Sequence, residues 1–309
     1  NYPCIIATKY NNNLPNNSLL CKRGQKWVFL TNSLVKNKDI TTDIDNNGDL
    51  YSVYINDDYK MVIKVWNLES KQEKIFNSNV ILSSKNLYDL ELKIINHVAY
   101  IAYVDYQNNQ LLLQKYDVRT NNLELVKQFP NIDIIESHNV SLFTIAGHGY
   151  LFYLNDSGSY SIFLIADNQL TELSNSINLP VNSIPLTMLQ SFDNIYLITC
   201  DLDKKSISIE LIEPTPATLI NQINIGYALS AGLFAADIKN NIINLAFVNP
   251  ELDNELYYLQ YRLNNNSLKK ILNKITISPS SIKFIDHSLL LISQDLLDNN
   301  TINIEEFSS

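Results

Sequence analysis

HVAYIAYVDYQNNQLLLQKYDVRTNNLELV, residues 97–126, is the stretch that decides the fold. Val98–Asp105 is an unbroken apolar run rich in Tyr, Val and Ile, too short for a buried helix and suited to a strand covered on both faces. A polar Gln/Asn turn follows, then a second apolar strand ending at Asp117, then a turn through Asn121 and Asn122 and the start of a third strand. The segment reads as part of one antiparallel sheet.

The pattern returns along the chain. An apolar run closing on an Asp/Asn turn occurs at Cys4–Asn12, Leu50–Asp58, Tyr150–Gly158, Ile195–Asp203, Ile243–Glu251 and Leu289–Asp295, which with Val98–Asp105 makes seven copies. Anchored on Ala7, Tyr54, Tyr103, Tyr153, Thr199, Phe247 and Ile292, they stand about 45–50 residues apart, the spacing of a solenoid, propeller or array. Each period holds four short strands. The fourth period shows them as VSLFTIA (140–146), GYLFYLND (149–156), YSIFLIAD (160–167) and QLTELSN (169–175), here called A to D.

A four-stranded sheet of this size cannot bury both of its faces, so neighbouring sheets must pack on one another and the array must close. The expected fold is therefore all-β: a β-propeller of seven blades with four antiparallel strands each, in a single domain over residues 1–309. Six blades, with the terminal strands sharing one, is the alternative. The chain begins with a B strand and ends after a C strand, which places its two ends at one seam.

VAYIAYVDYQNNQLLLQKYD (98–117) and INLAFVNPELDNELYYLQYR (243–262) carry the pattern best. It resembles the degenerate repeat of secreted bacterial β-propeller proteins. The resemblance implies the fold and an exported protein, and it transfers no enzymatic residues. The chain departs from well-formed repeats of that kind in having few glycines and no regular Trp.

Composition narrows the function classes. With 23 basic and 32 acidic residues the net charge is −9, and no Lys/Arg stripe interrupts it, so nucleic acid and anionic membrane are not expected partners. No run is long and apolar enough to span a membrane; 214–236 comes nearest, and it reads as strand D of one blade and strand A of the next. Gly is scarce, at 7, while Asn is abundant in runs such as 11–13, 121–122 and 264–266. Asn is the residue besides Gly that best tolerates left-handed backbone, so these runs read as turn tips.

Cys4 and Cys21 fall on strands B and C of the first copy, where a hairpin register summing to about 25 would set them opposite each other. A disulfide between them, and with it an oxidising, extracytoplasmic compartment, is one reading; two small buried side chains is the other. Cys200 reads as core. His97, His148 and His287 share one place, the A-to-B hairpin tip, where turn chemistry accounts for them; in separate blades they stand too far apart to share a metal.

Asp57, Asp58, Asp105, Asp156, Asp201 and their counterparts close strand B in most copies. They are the candidate ligand-binding residues, together with Tyr88 and Tyr227 near the D-to-A loops. Turn capping competes with that role, calcium at one turn is a further reading, and no catalytic or metal-ligating motif or other cofactor signature is present. The expectation is a non-catalytic binding scaffold that presents its loop face to a protein or carbohydrate partner. The alternative is a carboxylate-dependent, glycoside-type hydrolase on the same scaffold.

Overall fold

A computed structural model describes the chain except for residues 1–3, 12–13, 24–25, 32–39, 46, 57, 59, 68–69, 71, 82–86, 106–107, 118, 131–139, 146, 156–157, 167–168, 174–176, 180–181, 193, 213–217, 226–233, 250–254, 276–278, 286–287, 295–301 and 308–309. The described residues contain strands and turns and no helix, so none is long and apolar enough to cross a membrane. The chain divides into two compact units, Asn1–Asn178 and Leu179–Ser309.

The first unit begins with a three-stranded sheet of β1 (Cys4–Asn11), β2 (Leu14–Arg23) and β3 (Lys26–Thr31). Two four-stranded sheets follow, β4 (Ile40–Ile44), β5 (Asp49–Ile55), β6 (Lys60–Asn67) and β7 (Glu73–Ile81), then β8 (Leu87–Ile95), β9 (Val98–Asp105), β10 (Gln110–Asp117) and β11 (Asn122–Pro130). The last sheet holds β12 (Val140–Ile145), β13 (His148–Leu154), β14 (Ser159–Ala166) and β15 (Gln169–Glu172), with β16 (Ile177–Asn178) added beside β14. These bounds match the A to D strands expected for the fourth period to within a few residues.

The second unit repeats the plan. It has β17 (Ser183–Ser191), β18 (Asn194–Asp201), β19 (Ser206–Leu211) and β20 (Thr218–Asn224), then β21 (Phe234–Lys239), β22 (Ile242–Asn249), β23 (Glu255–Arg262) and β24 (Ser267–Ile275). A three-stranded sheet of β25 (Pro279–Ile285), β26 (Ser288–Gln294) and β27 (Ile302–Phe307) completes it. Every pairing is antiparallel between neighbours in sequence, apart from β16. Among the four-stranded and later sheets the first strands of successive sheets lie side by side: β4, β8 and β12 in the first unit, β17, β21 and β25 in the second. This is an all-β chain of repeated four-stranded antiparallel sheets, consistent with a β-propeller.

Sheets pack face to face through alternate residues of each strand. Val53, Ile55, Met61 and Ile63 meet Ala99, Ile101 and Tyr103, while the other face of the same β9, with Tyr100, Ala102 and Val104, meets Leu142, Leu151 and Phe163. Both faces of β9 are buried, as its unbroken apolar run requires. In the second unit Ile198, Cys200, Ile207 and Ile209 meet Ile243, Leu245 and Phe247. Asp43 on β4 also ties two sheets: it accepts the backbone N–H of Ile94 at 2.8 Å and lies 3.5 Å from Lys93 Nζ.

Turn chemistry follows the Asn bias. Of ten described non-Gly residues with positive φ, seven are Asn, including Asn121, Asn240, Asn241 and Asn266. His97 sits at its hairpin tip with φ 66°. His148 instead opens β13, because Gly147 takes the left-handed position at no steric cost; His287 lies outside the described residues. Parts of the connections from the last strand of one sheet to the first of the next are themselves strand: β7 runs on to Ile81 past a register shift at Lys60/Val62, and β16 (Ile177–Asn178) lies between β15 and β17. A bulge in the outer strand extends pairing beyond the point where alternation in the sequence stops.

Candidate functional site

The acids that close strand B go to separate sheets, and Asp105 and Asp201 accept hydrogen bonds within their own turns. Asp201 is 4% exposed; its Oδ1 accepts the N–H groups of Asp203 and Lys204 at 3.1 and 2.9 Å, and its Oδ2 lies 3.0 Å from Lys204 Nζ. Those donors hold its pKa below the ordinary Asp value, the backbone N–H of Lys204 foremost. Asp105 is buried and accepts from Asn108 Nδ2 at 2.8 Å. Asp58 is exposed, and its N–H donates to Asn56 Oδ1, so the neighbouring Asn caps that turn. Asn155 does the same at its own turn, accepting from Ser159 N–H at 3.1 Å. Asp57, Asp156 and Tyr227 lie outside the described residues, and Tyr88 is placed only by its register opposite Val104 on β8 and β9.

A pocket of about 260 Å³ opens at the opposite end of β9 and β10 from Asp105. It is lined by Val98, Lys115, Asp117, Thr120, Asn122 and Glu124. Its position follows from strand alternation: Lys115 lies two residues beyond Leu113 on the same face of β10, so the face that is apolar core at Leu111 and Leu113 turns polar at its end. Tyr100 and Glu124 are the register partners of Lys115 on either side.

The turn that walls the pocket is held at several points. Asp117 Oδ1 accepts Arg119 N–H at 2.8 Å, and Asn121, with φ 54°, accepts from Tyr116 Oη at 2.9 Å. Glu124 is oriented through both oxygens, by Asn122 Nδ2 at 2.7 Å and by Lys115 Nζ at 3.0 Å. Lys115 is the more sheltered partner of that pair, its side chain 24% exposed against 52% for Glu124. Tyr100, opposite Lys115 on β9, is buried; burial raises its phenol pKa, against the opposing pull of the Lys115 charge. The pocket thus joins a fixed carboxylate, an ammonium, a second carboxylate and two uncharged polar groups.

Sequence reasoning passed over these residues because they do not form a contiguous motif. The only signal was the polar end of an apolar strand, LLLQKYD, facing ELV across a turn. Among the described residues no group of three or more His, Cys, Asp or Glu is arranged to hold a metal ion.

No family model and no curated protein matches the chain. Solved structures do. A protein of Lactobacillus plantarum aligns with a TM-score of 0.64 over 100% of this chain and 97% of its own, at 13% identity. A Bacteroides fragilis protein with the provisional name 6-phosphogluconolactonase reaches 0.66, covering 99% and 96% at 9% identity. The periplasmic gluconolactonase of Pseudomonas aeruginosa reaches 0.63, covering 100% and 97% at 12% identity.

At such identities the likeness establishes the fold. The enzyme names of these proteins also correct the expectation of a non-catalytic binding scaffold, and with it the reading against an enzyme; the alternative, a carboxylate-dependent hydrolase, accords better with them. The physical reason is that an array of sheets gathers its reactive groups from separate strands and turns. A missing contiguous motif therefore does not count against catalysis on such a scaffold.

Proposed function

We propose that this chain is a hydrolase that opens small sugar-derived lactones in the pocket at the β10–β11 turn. The observation that carries the reading is the pairing of Lys115 Nζ and Glu124 Oε2 at 3.0 Å in the wall of a 260 Å³ pocket that also holds Asp117. That volume lies just below the usual range of about 300–1,000 Å³ for ligand sites and suits one sugar ring better than a polymer. The names of the Pseudomonas and Bacteroides proteins point to the same substrate class.

In this mechanism Glu124 takes a proton from a water as its oxygen bonds to the lactone carbonyl carbon. Lys115 faces the negative charge that develops on the carbonyl oxygen. As the tetrahedral species collapses, the ring C–O bond breaks and the leaving alkoxide takes the proton back from Glu124. Asp117 and Asn122 present acceptors and a donor to the ring hydroxyls. The reading extends to one seven-bladed propeller domain in an extracytoplasmic compartment: the 45–50 residue spacing, about that of a propeller repeat, runs across Asn178 and Leu179 without a break, and a periplasmic protein is among those sharing the fold.

A pH-stat assay with glucono-1,5-lactone, alongside a panel of aryl glycosides, tests this. Hydrolysis above the spontaneous rate, lost on the order of 100-fold or more in Glu124→Gln, is the expected result. A wild-type rate equal to the spontaneous one, or cleavage of glycosides alone, overturns the lactone assignment.

A further inference from the structure

Strands β1 and β2 pair antiparallel in a continuous register that runs from Asn11↔Leu14 to Cys4↔Cys21. Residues directly opposite each other in such a ladder share one face of the sheet, with Cα atoms about 4.5 or 5.5 Å apart according to the hydrogen-bonding site. Both values lie inside the span of about 4.4–6.8 Å that a disulfide bridges. Cys200, the third cysteine, is buried in β18 of the other unit, where its register partners are Ile184 and Ile207. The ladder therefore offers Cys4 one cysteine, and that is Cys21.

We infer that Cys4 and Cys21 form a cross-strand disulfide that closes the β1–β2 hairpin, an assignment independent of the proposed reaction. Formation takes two protons and two electrons from the two thiols; the disulfide of an oxidised thiol-exchange partner, such as oxidised glutathione, accepts them and leaves as two thiols. The site has a structural use. The β1–β3 sheet has three strands where most have four or more, and a covalent tie between its first two strands restricts the unfolded chain rather than adding contacts to the folded one. It also marks the compartment, since such a bond persists where thiols are oxidised.

The test counts thiols. Protein equilibrated in an oxidising glutathione buffer is unfolded without reductant, alkylated and weighed intact; the expected product carries one alkyl group, and three after prior reduction. Tryptic digestion without reductant is expected to join the peptide ending at Lys9 to the peptide Tyr10–Lys22. Three alkyl groups without reduction, glutathione adducts on both cysteines, or a crosslink to Cys200 would each overturn the assignment. Because the count is made on wild-type protein, it does not depend on a Cys4→Ser or Cys21→Ser variant folding.

Discussion

Lys115 and Glu124 are register partners on β10 and β11, with Nζ and Oε2 3.0 Å apart at the polar end of a face whose next inward residues are core. An ion pair in that position is half solvated, so its contribution to stability is small, about 0–1 kcal/mol. Its use is therefore better sought in the pocket than in the fold. Lys115→Met and Glu124→Gln are expected to leave the melting temperature within about 4 °C of wild type while reducing lactone turnover on the order of 100-fold. Calorimetry and the pH-stat assay on the same preparations decide it; a variant with full turnover removes its residue from the mechanism.

Glu210 on β19 is 8% exposed and faces Leu197 on one side and Leu219 on the other. Burial disfavours its charged form and raises its pKa. The sign of the linkage follows. Below the unfolded-state pKa of an ordinary Glu both states hold the proton and the site is neutral to folding. As pH rises from there through the raised folded-state pKa, the unfolded state has released the proton and the folded state has not, so stability falls. Glu210→Gln is expected to raise the melting temperature at pH 8 and to change it little at pH 4. An equal shift at both values would show that titration at this position does not govern the effect.

Much of the strand plan was legible because buried strands announce themselves. Val98–Asp105 has no polar residue before its end, and both of its faces are covered, by Ile63 and its neighbours on one side and by Leu142 and Leu151 on the other. Asn121, Asn240 and Asn266 stood in polar runs and take left-handed backbone there. The pocket was not legible. Lys115 and Glu124 are nine positions apart on two strands, and only the register that opposes them makes them a pair. The acids closing strand B were conspicuous in the sequence for the reason that makes Asp201 inward-looking: an Asp one residue before a tight turn is placed to cap it.

Phe192, in the β17–β18 hairpin, carries a local strain: it takes φ 53° although it is neither Gly nor Asn, and the residue is 85% exposed. Left-handed backbone costs a residue with a Cβ about 1–2 kcal/mol, and a solvated ring recovers nothing by burial. Phe192→Asn, a residue that tolerates this backbone, is expected to stabilise the protein by roughly 1 kcal/mol in urea unfolding. A loss of stability would mean that the ring makes a contact on which the hairpin depends.

Gly149 on β13 is a point of close approach between two sheets of the first unit, and its φ is not the reason that it is glycine. A Cβ there would stand 2.3 Å from Ile95 Cδ1 and 3.1 Å from Ile165 Cβ, so what the position requires is the missing side chain. Ile95 is 4% exposed and closes the β8 end of the core that adjoins the pocket. Gly149→Ala is expected to cost about 1–3 kcal/mol through overpacking. Ile95→Val removes Cδ1, the atom in the shorter contact, and should cost about 0.5–1.5 kcal/mol by itself. The double variant is then expected to be more stable than the sum of the two losses, because each change accommodates the other, while the 3.1 Å approach to Ile165 Cβ keeps the rescue partial. A denaturant double-mutant cycle measures the coupling, and strict additivity would show that the sheets yield at Gly149 by moving apart rather than by repacking Ile95.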